Sequence, residues 1–467
     1  MTEKINSLRE SKSARWFALV LVSITMFCAY MFFDVIAPLS SLLETELGWA
    51  PDIFGTVSGA AYVLNVFVFF LIFAGIILDK MGVRFTGLLA GTVMLVGAAI
   101  KLYGVSEYFN SGGFGFEFFN SFLPNFPASA KVACIGFAIF GCGVEMAGIT
   151  VVKAIVKWFK GKELALAMGL EMGLARLGVF TVFRLSPYLA GDGDVASPIF
   201  VCTLFLLIAL LSLTVYFFLD KKLDQQDGVD AKNTNSEDTF KISDIKTIFT
   251  SKTFWLVAGL CVLFYSAIFP FQKFAVGMLS SRLEMTPVEA ANLFSFFPIG
   301  AMLLTPLLGW FLDSRGKGAT MLMIGALLMT VCHSIFALTP DESFTYGVAI
   351  TAIVILGVSF SLVPAALWPS VPKLVDNKVL GSAYSIIFWI QNIGLMITPM
   401  VIGAVLTSSN PGVAEQIAAG DTTVRYSYTS AMLLFASLGV IAFLLGVWLK
   451  KEDKAKNYGL ELPNKRK

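Results

Sequence analysis

The chain has 467 residues, 57% of them hydrophobic and 14% charged, with a net charge of +2 at pH 7 and a mean hydropathy of +0.78. A soluble domain carries about 25% charged residues, so water alone cannot be the solvent of this surface. One oversized soluble core is excluded too, because the apolar stretches run for about twenty residues each, the length that crosses a hydrocarbon layer of about 30 Å.

In chain order, spans are predicted at 16–38, 54–78, 84–106, 131–157, 163–189, 197–219, 253–280, 288–312, 318–338, 345–370, 379–407 and 427–449. Lys4, Arg9, Lys12 and Arg15 precede the first apolar run, which is too long for a signal peptide and has no small-residue cleavage site, so it reads as the first span. Residues 107–130 form a Gly/Phe-rich loop, which reads as a surface loop or as a cover over the outer mouth. Residues 220–252 form the one long polar stretch, a linker with a solvated charge run. Units are therefore predicted at 1–219, 220–252 and 253–467. The six cysteines, Cys28, Cys134, Cys142, Cys202, Cys261 and Cys332, fall in apolar segments without pair spacing, which reads as packed thiols. No cofactor or metal is expected, no nucleotide loop or nucleophile constellation is present, and an enzyme or nucleic-acid partner is not expected.

Basic residues collect on alternate connections: the N-terminus, Lys80 and Arg84, Lys153 to Lys162, the linker with Lys221, Lys222, Lys232, Lys241 and Lys246, then Arg315 and Lys317, Lys373 and Lys378, and the tail from Lys450. The other connections carry acids, such as Glu44, Glu46 and Asp52, Asp192 and Asp194, or Asp341 and Glu342. By the positive-inside rule both termini and the linker are cytoplasmic, which demands an even number of spans.

A duplicated loop divides the chain. Gly75, Asp79 and Gly82, with Arg84 following, recur as Gly309, Asp313 and Gly316, with Lys317 following, at a constant offset of 234 residues. Later in each half Arg176 matches Asn392 and Gly178 matches Gly394, both at 216. The first glycine allows close helix approach, the second a tight turn, and the aspartate a charge-assisted latch. Two parallel halves related by an axis along the membrane normal resemble the major facilitator transporters. The expected fold is therefore an all-α membrane protein with twelve transmembrane helices in two pseudo-symmetric six-helix bundles, in which spans one, four, seven and ten line a cavity. In that superfamily the loop stabilises the outward-facing state.

Three segments narrow the resemblance: GCGVEMAGITVVKAIVKWFKGKELALAMGLEMGLARLG (141–178), FYSAIFPFQKF (264–274) and SFSLVPAALWPSVPKLVDNKVLGSAYSIIFWIQNIGL (359–395). Together they resemble the lysosomal dipeptide uniporter family and its bacterial relatives. That resemblance implies carriage of short peptides without an obligatory proton. It also implies cavity roles for an acid of span four and an arginine of span five, here Glu145 and Arg176, and in animal members a glycosylated accessory protein. The short N-terminus has no dileucine-type sorting signal, which points to a prokaryotic plasma membrane; a monomer is expected.

Ionisable groups inside a bilayer cost about 2.5–3.5 kcal/mol each on insertion scales and are candidates for function. Glu145 and Arg176 lie near the middle of spans four and five. They suit the ammonium and carboxylate of a zwitterion, or they pair with each other as a buried bridge. Asp34 in span one binds an ammonium, carries a proton, or pairs with Lys273 of span seven. Glu171, about 140° from Arg176 around the helix, is expected to face elsewhere, and Arg184 to snorkel. Trp368, Tyr384, Gln391, Asn392 and Tyr62, with Trp389 and Asn65, supply aromatic and amide groups suited to a pocket wall or to helix packing. Pro270, Pro364, Pro369 and Pro372 bend helices. His333, in peripheral span nine, reads as packed. Two functions remain open: a carrier of short peptides or similar zwitterions, and a proton-coupled carrier of an organic anion with Arg176 as clamp and Glu145 or Asp34 as proton site.

Overall fold

A computed structural model describes residues 8–159, 162–191, 193–227, 248–375, 379–421 and 423–463. Most of the linker, with Lys232, Lys241 and Lys246, lies outside the described residues, as do Lys4, Lys160, Asp192 and Lys378. Among the described residues there is no strand. Without water to satisfy backbone groups, only helices or a closed barrel span lipid, and these apolar runs become helices.

The first half contains α1 (Lys12–Asp34), α2 (Ser40–Leu47), α3 (Pro51–Ala60), α4 (Val63–Phe67), α5 (Phe70–Val105), α6 (Ala128–Phe159), α7 (Leu164–Ala190) and α8 (Ala196–Asp227). The second contains α9 (Lys252–Leu283), α10 (Pro287–Phe294), α11 (Phe296–Arg315), α12 (Gly318–Leu338), α13 (Tyr346–Leu374), α14 (Leu380–Ser409) and α15 (Thr429–Lys456). Side-chain caps start several of them. Ser11, Ser251 and Thr345 accept backbone N–H groups at α1, α9 and α13, and Thr286 with Glu289 forms a capping box at α10.

Eleven helices among the described residues are long and apolar enough to cross a bilayer, one fewer than the sequence predicts. The difference lies at Gly82, where φ +76° and ψ 172° interrupt α5. Before Gly82, Ala61 meets Gly141 and Asp79 meets Lys153, so the chain runs parallel to α6. After it, Gly97 lies against Gly136 and Phe140, and Gly104 against Val132 and Ala133, so the chain runs antiparallel. The chain therefore reverses at a glycine in the left-handed region. The first arm of α5, with α3 and α4, makes the second crossing, and the second arm makes the third, which restores twelve. The second crossing is itself broken around Phe69, whose φ is +55°.

The repeat is visible in the packing. Gly178 of α7 lies against the Phe27 carbonyl of α1, and Gly394 of α14 against Val262 and Ser266 of α9, the same relation in each half. A side chain at either position would stand 2.3 Å from its neighbour, so only glycine lets these helices approach so closely.

The halves close on each other at the end opposite the termini. There Gly55 and Gly59 of α3 lie on the backbone of α14 at Pro399 and Met396, and Gly403 lies on Pro51. Glu44 accepts a hydrogen bond from Tyr426 at 2.5 Å, and Thr407 donates to Asp52 at 3.3 Å. Burial and the hydrogen bond to Glu44 both push the Tyr426 phenol upward, so it stays a donor. At the end bearing the termini, the ion pairs found among the described residues stay within one half: Lys153–Asp79, Arg84–Asp224, Lys157 with Asp220 and Asp224, Arg15–Glu163 and Lys162–Glu10 in the first, Lys252–Glu452 and Lys317–Glu461 in the second. Exposure rises toward this end. Along α1, Tyr30, Phe27 and Ile24 are half-buried while Val20 and Phe17 are 47% and 51% exposed; along α6, Glu145 and Ile149 are half-buried while Val152 is 46% exposed. One end is sealed and the other is open. The 107–127 loop folds on its own half, with Lys131 donating to the Phe119 and Phe122 carbonyls, which makes it a surface loop.

Candidate functional site

Glu145 lies half-buried in the middle of α6, facing the other half within reach of the Asn392 carboxamide of α14. Asn392 is buried, and its Oδ1 has no partner. Arg176 projects from α7 into a ring of aromatic faces: Tyr30 of α1 at 5.7 Å, Phe269 of α9 at 5.4 Å and Phe360 of α13 at 4.8 Å. Two of the three rings belong to the other half. No described residue hydrogen-bonds to the guanidinium or forms a contact ion pair with it. Glu145 and Arg176 thus do not form the direct bridge that was one of the two readings. Aromatic faces stabilise the cation by about 0.5–2 kcal/mol each and leave its N–H fork free.

Glu171 departs from expectation. It is buried and lies within the electrostatic reach of Arg176 and Tyr30. Arg184 is exposed near the outer end of α7, as a snorkelling residue would be, and its Nε also donates to Ser295 of the other half at 3.1 Å, beside the rings of Phe180 and Phe296.

Asp34 and Lys273 meet each other. Lys273 Nζ lies 2.6 Å from Asp34 Oδ1, with the side chains 6% and 4% exposed, and also donates to the Phe33 carbonyl at 2.7 Å. Gln272 Nε2 donates to Asp34 Oδ2 at 2.7 Å. Of the readings held open for Asp34, this geometry matches the inter-half pair. Tyr62 lines the same narrow cleft with Phe33, Ser58, Pro270 and Pro399.

The aromatic residues of spans ten and eleven form one cluster beside the gap. Trp368 Nε1 donates to Tyr265 Oη at 3.1 Å, Tyr384 Oη donates to the Trp368 carbonyl at 3.3 Å, and Trp368 stacks on Phe388. Gln391 faces Cys261 within its own half. Trp389 crosses between halves, donating to the Val66 carbonyl at 2.9 Å and stacking on Phe69. His333 is fully buried between Phe271 and Phe435, packed as expected.

The candidates read from the sequence leave out Lys101 and include Asn65 only as an amide suited to a pocket wall or to helix packing. Lys101 is fully buried in the second arm of α5, and neither polar atom of Asn65 has a partner. The signal for Lys101 was plain: an ammonium inside an apolar run.

The two loop motifs differ in their contacts. Gly82 and Gly316 both take positive φ, +76° and +74°, as a tight turn requires. Asp79 latches Lys153 at 2.6 Å, and Arg84 meets Asp224 at 3.1 Å, each within the first half. In the second half the C-terminal tail supplies the partner, Glu461, which lies 3.9 Å from Lys317. Around Gly75 and Gly309 an added Cβ would meet nothing within 4 Å. The close approach expected of them is absent in this state, because they lie at the open end. Gly309→Leu is therefore expected to leave this conformation intact and block closure at the open end. Cysteine accessibility should show at least a tenfold bias toward the present state. Unchanged accessibility from both sides would show that Gly309 meets nothing during the cycle.

The family profile described as Major Facilitator Superfamily matches residues 22–399 and 274–463. The chain belongs to the Major Facilitator Superfamily. Among superfamily relatives, it is 30% identical over 282 residues to the lysosomal dipeptide transporter MFSD1 of Danio rerio, covering 58% of this chain and 59% of the relative. It is 26% identical over 283 residues to the Homo sapiens protein of that name, covering 58% and 59%. The chain thus matches about three-fifths of the length of these relatives. Two solved superfamily structures share the fold: a mutant form of the nucleoside transporter NupG, with TM-score 0.71, 13% identity and coverage of 92% and 99%, and a D-xylose-proton symporter with TM-score 0.66, 12% identity and coverage of 92% and 97%. A Major Facilitator Superfamily membrane transporter, not an enzyme, accounts for the twelve crossings and the two-fold pseudo-repeat.

Proposed function

We propose that this protein carries dipeptides or similar small zwitterions by alternating access, as a uniporter. The observation that carries the reading is a pair of opposite charges, Glu145 and Arg176, set between the halves without a contact ion pair between them, each borne by the first half and meeting residues of the second. A zwitterion offers an ammonium to the first and a carboxylate to the bidentate fork of the second. The trio of Trp368, Tyr384 and Phe388 supplies an apolar wall for variable side chains. The likeness to dipeptide transporters over three-fifths of their length supports the same solute class. Lysines and arginines concentrate at the open end, so the open end faces the cytoplasm and the sealed end faces out. We place the protein in a prokaryotic plasma membrane.

In proteoliposomes, labelled dipeptide uptake is expected in the native chain and should fall at least about 30-fold in Glu145→Gln and Arg176→Ala. Truncating one partner of a desolvated charged contact costs about 2–5 kcal/mol. Near-native uptake in both variants would remove these residues from the site. The free guanidinium also suits an organic anion moved with a proton. Thermal stabilisation by monocarboxylates but not by dipeptides, with uptake driven by a proton gradient, would favour that reading.

A further inference from the structure

At the sealed end lies a chamber of about 470 Å³ that no role above explains. Small-molecule sites occupy about 300–1,000 Å³. Its wall includes the edge-to-face pair of Phe54 on α3 and Phe274 on α9, with ring centres 5.5 Å apart. One turn beyond Phe54, Ser58 lines the narrow cleft that holds Asp34 and Lys273. The aromatic pair thus stands between the chamber and the buried ion pair.

Two opposite charges on the chamber wall stay apart. Glu44 of α2 is half-buried; its carboxylate accepts the Tyr426 hydroxyl at 2.5 Å and pairs with no described lysine or arginine. Arg425 is exposed, and its guanidinium donates to the Ser281 carbonyl at 3.3 Å without pairing with a described acid. The other acid of the wall, Asp421, is taken up by its own turn, where it accepts from the N–H and hydroxyl of Thr423 at 2.8 and 2.7 Å. Tyr428 lines the chamber while only 7% exposed, and its hydroxyl has no hydrogen-bond partner among the described residues. Buried hydroxyls are normally satisfied. One left facing a chamber marks the place of a polar ligand.

We propose that this chamber is a second solute site, which takes a small zwitterion with its ammonium on Glu44 and its carboxylate on Arg425. The solute class rests on the reading above, whereas the residues are separate from Glu145 and Arg176. Glu44 belongs to the first half and Arg425 to the second, so the site is whole only while the halves meet. A solute that touches both favours the sealed state over the opened one. Were Glu44 only a fastener for Tyr426, an amide that still accepts the same hydroxyl would change nothing.

The test is equilibrium binding of labelled leucyl-alanine to the full chain carrying Glu145→Gln and Arg176→Ala, which disables the central site. Saturable binding should remain. Adding Glu44→Gln, or Arg425→Gln at the exposed rim, should weaken it at least about tenfold, as the loss of a hydrogen bond to a charged group implies. The unfolding temperature without peptide should stay the same. The N-acetylated peptide should bind at least about tenfold more weakly when Glu44 is native and lose nothing further in Glu44→Gln. No residual binding, or residual binding indifferent to both substitutions, would overturn the second site. Failure of the central reading looks different: Glu145→Gln with Arg176→Ala would leave total binding unchanged, and the part removed by Glu44→Gln would still report the chamber.

Discussion

The substitution Gly403→Leu is expected to hold the sealed end open. A Cβ at Gly403 would stand 2.1 Å from the Pro51 carbonyl oxygen and 2.9 Å from the Asp52 Cα, both backbone atoms that cannot swing aside. Overpacking against movable side chains costs about 1–3 kcal/mol, and against backbone the remaining route is separation of α14 from α3. Gly55→Leu should act alike, since its Cβ would stand 2.2 Å from the Pro399 carbonyl oxygen. Either variant should lose solute flux at least about 100-fold and become accessible from the sealed side, the opposite bias to Gly309→Leu. Flux near the native rate in Gly403→Leu would show that the contact is not required in the cycle.

The second large effect belongs to Asp34 and Lys273. Removing one partner of a buried ion pair leaves the other uncompensated and costs about 3–5 kcal/mol, whereas replacing both by apolar groups is often neutral. Asp34→Ala and Lys273→Met should therefore each lower the unfolding midpoint strongly, and the double variant should recover most of the loss. The coupling from the double-mutant cycle should reach about 3 kcal/mol, well beyond the error on additivity. The pair joins the halves, so the same variants should also open the sealed end. A coupling below about 0.5 kcal/mol would mean that the contact locks nothing.

These two contacts were legible in the sequence to different degrees. Gly82 and Gly316 were marked by spacing alone, since the offset of 234 exposed them as equivalent turns, and both adopt the expected left-handed backbone. Gly55 and Gly403 carried no such mark, because small residues abound in membrane helices and the partner backbone lies hundreds of residues away. Asp34 and Lys273 were each visible as charges in apolar runs. Their pairing across 239 residues was one of several readings until the rotation of α1 and α9 was known.

The same boundary divides the central site. Length and apolarity determined the twelve crossings and the candidates Glu145 and Arg176, because bilayer thickness and the cost of a buried charge act on each segment locally, and the loop repeated at an offset of 234 determined the two halves. Only the tertiary structure decided that Glu145 meets Asn392 while Arg176 meets three rings, that Glu171 turns inward, and that Lys101 stands without a partner. It also decided which end is sealed. Side-chain partnership depends on how helices rotate and cross, and that is settled by packing between segments distant in sequence.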